Sequence, residues 1–138
     1  MTKQRYDKHS TEFGLWLREQ NPLDSSKGYI ATNIDYIWCN YKTRKYVLIE
    51  EKRYMSEVKK WQESLLKLID CNLSKDKNYH GFYLIQFENT SPEDGSIYLN
   101  GKEISRPELI EFLQLNWCDT NLRNRLWQTY RLKTVTQK

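Results

Sequence analysis

Two strand-like runs separated by a helical pattern constrain this chain most. Tyr46 to Lys52 and Phe82 to Phe87 are rich in β-branched, aromatic and aliphatic residues. Between them Val58, Trp61, Leu65 and Leu68 recur at helical spacing, with Ser56 placed to cap the helix. Parallel neighbours in a sheet need a crossover of about a dozen residues or more, usually a helix. The intervening stretch is long enough to be one. The expected fold is therefore α/β (α+β), a central mixed sheet flanked by helices.

The rest of the chain fits around that unit. Ser10-Thr11-Glu12 precedes Phe13, Trp16 and Leu17 on one helical face, and Asn21-Pro22 ends the pattern. A first β-rich run covers Tyr29 to Trp38, and the polar stretch Asn40 to Lys45 reads as the hairpin turn into the second run. Asn89 to Gly95 is a loop, and Ile97-Tyr98-Leu99 opens a short strand that turns at Asn100-Gly101. Ser105-Arg106-Pro107-Glu108 is a capping-box arrangement starting a helix that carries Leu109, Phe112, Leu113 and Trp117. A last helix is expected from about Leu122 to Leu132. The predicted order is α-β-β-α-β-β-α-α, in one domain spanning 1–138, with a core from about 10 to 90 and a basic helical part from about 105.

Composition limits the chemistry. Hydrophobic residues are 38% of the chain, and the 14% aromatic content adds buried area per residue. No apolar run is long enough to cross a bilayer, and the N-terminus leads into no apolar signal segment, so a cytoplasmic protein away from membranes is expected. Cys39, Cys71 and Cys118 show no CxxC spacing and His9 and His80 stand alone, which is no zinc framework. Net charge is +4, and its distribution matters more than its size. No acidic residue follows Asp119, whereas Arg123, Arg125, Arg131 and Lys133 do. Lys42, Arg44 and Lys45 form a second group. Such clusters suit phosphate backbones.

The candidate chemistry lies in Asn33-Ile34-Asp35, followed after 14 residues by Glu50-Glu51-Lys52. Residues two apart on a strand point the same way, so Glu50 and Lys52 share a face with Leu48, opposite Val47, Ile49 and Glu51. Pairing across the hairpin makes Asp35 and Glu50 neighbours. Two adjacent carboxylates repel, and a divalent ion resolves the repulsion; Mg²⁺ takes one or two carboxylates, keeps waters and accepts phosphate oxygens. Lys52 is placed to neutralise charge developing on a phosphate. An acid-x-Lys triplet on a solvated hairpin is common, but here it ends a run buried on both faces. Trp61, Trp117 and Trp127 read as core residues rather than base-stacking platforms.

This pattern resembles the PD-(D/E)XK, or restriction-endonuclease-like, nuclease superfamily. Its signature is an acid, a spacer, then acid-x-Lys on the next strand. Asp35, Glu50 and Lys52 match it, while Ile34 stands where the eponymous proline would be. The resemblance implies catalytic roles for Asp35, Glu50 and Lys52, with Asp35 and Glu50 as ligands for Mg²⁺ or Mn²⁺. It also implies roles for Glu12 on the preceding helix and Gln62 on the following one. The function it implies is metal-dependent hydrolysis of DNA phosphodiesters, of homing or restriction type or structure-specific, by a homodimer or tetramer. A Holliday-junction-resolvase-like enzyme acting on branched DNA is an alternative. So is a non-catalytic nucleic-acid-binding module that keeps the fold.

Overall fold

The computed structural model describes residues 11–119. The chain divides into two compact units, Met1–Asn33 and Ile34–Lys138. In the first, α1 spans Glu12–Arg18, and Thr11 caps it by accepting the Gly14 N–H on its hydroxyl at 3.0 Å. Two short 3-10 turns, Asn21–Leu23 and Ser25–Lys27, follow. Gly28 ends the second with φ of 102°, a left-handed position that glycine takes without a Cβ penalty. The expected strand beginning at Tyr29 is not formed there.

The second unit is an α+β arrangement around a mixed sheet. Its strands are β1 (Tyr36–Cys39), β2 (Tyr46–Lys52), β3 (Tyr79–Phe87), β4 (Ile97–Leu99) and β5 (Lys102–Ile104), in spatial order β1-β2-β3-β4-β5. Only the β2–β3 pair is parallel, and α2 (Lys60–Leu73) connects those two strands, as the crossover expectation required. β1 pairs antiparallel with β2, putting Tyr36 opposite Ile49 and Trp38 opposite Val47. The other antiparallel pairs are β3–β4 and β4–β5. α3 (Arg106–Leu113) carries the anticipated capping box: Ser105 Oγ accepts from the Glu108 N–H, and Glu108 Oε1 from the Ser105 N–H. None of the helices among the described residues is long and apolar enough to cross a membrane.

The sheet buries both faces. Val47, Ile49, Tyr83, Ile85 and Phe87 pack with Phe112, Leu115 and Trp117 on one side. Leu48, Phe82 and Leu84 pack with Leu66 of α2 on the other. The alternation along β2 thus follows the expected parity.

Four sequence expectations need correction. β1 starts at Tyr36, because the Asp35 side chain accepts the Glu51 N–H at 2.8 Å and takes the donor that a longer ladder would use. Ser56 caps no helix. Tyr54 and Met55 both sit in the left-handed region, with φ of 55° and 57°, and their N–H groups donate to Asn89 and Phe87 carbonyls. The connection is thereby tied to the end of β3, and α2 begins only at Lys60. A further strand, β5, follows the Asn100-Gly101 turn, so the described order is α-β-β-α-β-β-β-α. Finally, the buried stripe of α2 is Gln62, Leu66 and Asp70, while Trp61 and Leu68 are exposed. The helix is turned about one residue from the apolar reading because two polar residues on it find buried partners. The helix expected over Leu122 to Leu132 lies outside the described residues.

Candidate active site on strand β2

Glu50 stands near the C-terminal end of β2, where the α2 face of the sheet changes from apolar to polar. Leu48, Glu50 and Lys52 follow each other on that face, and Leu84 and Gln86 of β3 lie beside Glu50 and Lys52 in register. Glu50 is 2% exposed. Burying a carboxylate is costly unless it is paired and hydrogen-bonded. Its Oε2 has two such partners, Gln62 Nε2 at 3.1 Å and Lys52 Nζ at 3.4 Å. Its Oε1 is buried and has no hydrogen-bond partner among the described residues. Burial pushes the Glu50 carboxyl up from its ordinary value, and the negative charge of Asp35 pushes the same way; Lys52 and Gln62 oppose them.

Asp35 lies one step beyond the Tyr36–Ile49 pair, which is the position opposite Glu50. The charge of Asp35 is felt at Glu50. A carboxylate has about four lone-pair sites, so the bond from the Glu51 N–H leaves Asp35 with acceptor capacity. Lys52 is half-buried, and an ammonium carries three donors, of which Glu50 engages one.

Gln62, the candidate on the following helix, lies on α2 and its amide donates to Glu50. Glu12 lies in the first turn of α1, in the other compact unit, where a negative charge favours the helix N-terminus. Lys42, Arg44 and Lys45 occupy the turn between β1 and β2, at the opposite end of β2 from Glu50. Lys45 and Glu50 are separated by roughly 17 Å at the rise of an extended strand. Arg123, Arg125, Arg131 and Lys133 lie outside the described residues. Trp117 is buried as expected, Trp61 is exposed, and Trp127 lies outside the described residues.

Sequence reasoning missed Gln86. It is buried on the same face as Lys52, and its Nε2 donates to the Ser56 carbonyl at 2.8 Å, holding the β2–α2 connection against the sheet. Its register partner Lys52 was the available signal.

Among the described residues, no group of three or more His, Cys, Asp and Glu side chains gathers as a metal cage. The candidate donors are the Glu50 carboxylate with the Lys52 ammonium beside it, and Asp35, whose charge reaches Glu50. That fits Mg²⁺, which takes one or two carboxylates and fills its remaining positions with water and phosphate oxygens. The unpartnered Oε1 of Glu50 is the atom such an ion would satisfy. No protein-family model, curated protein or solved structure matches the chain.

Proposed function

We propose that this protein is a metal-dependent endonuclease that hydrolyses DNA phosphodiester bonds, with Asp35 and Glu50 holding Mg²⁺ or Mn²⁺. The observation that carries the reading is Glu50: a carboxylate at 2% exposure, one oxygen held by Gln62 and Lys52, the other buried with no hydrogen-bond partner among the described residues, and the charge of Asp35 acting on it. A structural Glu–Lys pair has no need of a neighbouring carboxylate, which raises its energy.

Each residue has a task in this reading. Gln62 and Lys52 fix Oε2 and so hold the Glu50 carboxyl in one orientation. The Glu51 N–H holds Asp35 in the same way. Lys52 keeps donors for the attacking water or for charge developing on the phosphate, an interaction stronger in the transition state than in the ground state. When bound, the metal supplies a Lewis acid for the phosphodiester and lowers the pKa of a bound water. Cutting two strands calls for two such sites, hence a homo-oligomer.

Supercoiled plasmid incubated with the full chain in Mg²⁺, Mn²⁺ or EDTA tests the proposal. Nicking or linearisation is expected with either metal and not in EDTA. Asp35→Ala and Glu50→Ala, folded by circular dichroism, should abolish cleavage and weaken Mg²⁺ binding in calorimetry, since each removes a charged ligand. Normal cleavage by both variants would dismiss the site.

A further inference from the structure

We propose that the face of β1 carrying Tyr36 and Trp38, which lies on the α3 side of the sheet and ends at Asp35, is a stacking track for single-stranded nucleic acid; this rests on the nucleic-acid reading above and names a form of nucleic acid the chain would hold. β1 pairs only with β2 among the described strands, and all four of its residues are exposed. Tyr36 and Trp38 are 51% and 42% exposed, and two residues apart on a strand they share a face. Solvent-facing aromatic rings on an unpaired edge are an association hazard unless something uses them.

Both rings are held by their polar atoms. The Tyr36 hydroxyl donates to Glu51 Oε1 at 3.3 Å, and Trp38 Nε1 donates to the Leu113 carbonyl at 2.6 Å. Anchored this way, each ring is about half exposed and already ordered, so binding costs it little further entropy. Along the strand they are roughly 6.6 Å apart, about two base steps of 3.4 Å. Beyond Trp38 a groove of about 520 Å³, lined by Trp38, Tyr41, Lys42 and Gln114 among others, continues the aromatic surface. Tyr41 is 77% exposed there.

Charge is arranged to suit a strand lying along this path. Lys42, Arg44 and Lys45 stand at the hairpin end, while at the other end Arg53 pairs with Glu51 at 3.8 Å beside a depression lined by Asp35, Tyr36, Glu51 and Arg53. The two acids at the Asp35 end repel phosphates, so bases on the rings and phosphates at the basic hairpin end is the complementary arrangement. Stacking of this kind tolerates any base, because every base has a π-face. A base inside a duplex has both faces covered. The occupant is therefore an unpaired segment, such as a flap, overhang or loop.

Binding in EDTA separates the track from the chemistry. Fluorescence anisotropy of labelled oligo-thymidine and of a blunt duplex would be measured with the full chain. Tyr36→Ala and Trp38→Ala should bind oligo-thymidine roughly five- to a hundredfold more weakly, with duplex affinity unchanged. Trp38→Phe, which keeps a ring, should retain most of the binding. A folded Tyr36→Ala protein that binds oligo-thymidine like the parent would overturn the proposal. So would a parent dimer, seen by sedimentation, that Tyr36→Ala turns into monomers with oligo-thymidine binding intact, since a second copy would then be the occupant. Plasmid cleavage with normal oligo-thymidine binding by the ring variants removes the track and leaves the nuclease. Ring-dependent binding without cleavage does the reverse.

Discussion

The two faces of the sheet are built from the same strands and filled differently. On the α3 face, β2 and β3 contribute Val47, Ile49, Tyr83, Ile85 and Phe87, and the ring of Phe112 stacks on Trp117 above them. On the α2 face they contribute Leu48, Phe82 and Leu84, then Glu50, Lys52 and Gln86. An apolar side chain buried at either glutamate or glutamine position would contribute roughly 1.5–3 kcal/mol. The α2 face gives that up and must satisfy polar groups instead, using Gln62 for Glu50 and the Ser56 carbonyl for Gln86. On the proposed reading the α3 face serves stability and the α2 face chemistry.

The largest expected effect tests the second half of that assignment. Lys52→Ala should slow single-turnover cleavage of bound DNA by roughly a hundredfold or more, the scale of one preorganised electrostatic group. DNA affinity measured in Ca²⁺ should change far less, because one phosphate contact among several is a minor part of binding. A near-normal rate from the folded variant would make the α2 face structural and break the comparison.

The next effect tests the first half. Phe112 is fully buried between Tyr83 and Trp117. Phe112→Ala should cost about 3–5 kcal/mol of stability by transfer and cavity terms together. Urea titration would read the loss, and cleavage by the protein that remains folded should stay within a few-fold of the parent. Loss of cleavage without loss of stability would mean that the α3 face serves the site directly.

How much of this could be read from the sequence follows the range of the forces involved. The parity of Leu48, Glu50 and Lys52 was legible because a strand's period of two is local. The antiparallel register that puts Tyr36 opposite Ile49 was legible because a short hairpin fixes its own register. The α2 stripe was not, since Gln62 and Asp70 are buried by partners distant in sequence, Glu50 and Tyr79, and a hydrophobic pattern cannot register them. β5 was missed for the opposite reason: Lys102 and Glu103 are exposed, and its pairing comes from β4 rather than from its own composition. Ser56 looked like a cap because nothing local betrays the two left-handed residues before it, whose N–H groups are taken up by the end of β3. For the site, the residue types were visible and the buried, unpartnered Oε1 was not.

The smallest effect sharpens the comparison most directly, because it asks whether Glu50 weakens the metal-free fold. Its carboxyl is raised above an ordinary value of 4.5, first by burial and then by Asp35, with Lys52 and Gln62 offsetting part of both. A raised carboxyl binds more protons in the folded state than in the unfolded one across the interval between the two pKa values. The contribution of Glu50 to stability therefore falls as pH rises through that interval. Glu50→Gln removes the titration and keeps an amide oxygen for Gln62. In EDTA, the stability of the variant relative to the parent should increase as pH rises from about 4.5 toward neutrality, by less than the Phe112 effect. Saturating Mg²⁺ should reverse the order at neutral pH, since only the parent gains binding free energy through a second carboxylate. Thermal melts of both proteins across this range, with and without Mg²⁺, supply the measurement. A relative stability that stays flat with pH in EDTA would mean Glu50 is as well satisfied as any surface acid, and the α2 face would lose its claim to be held ready for an ion.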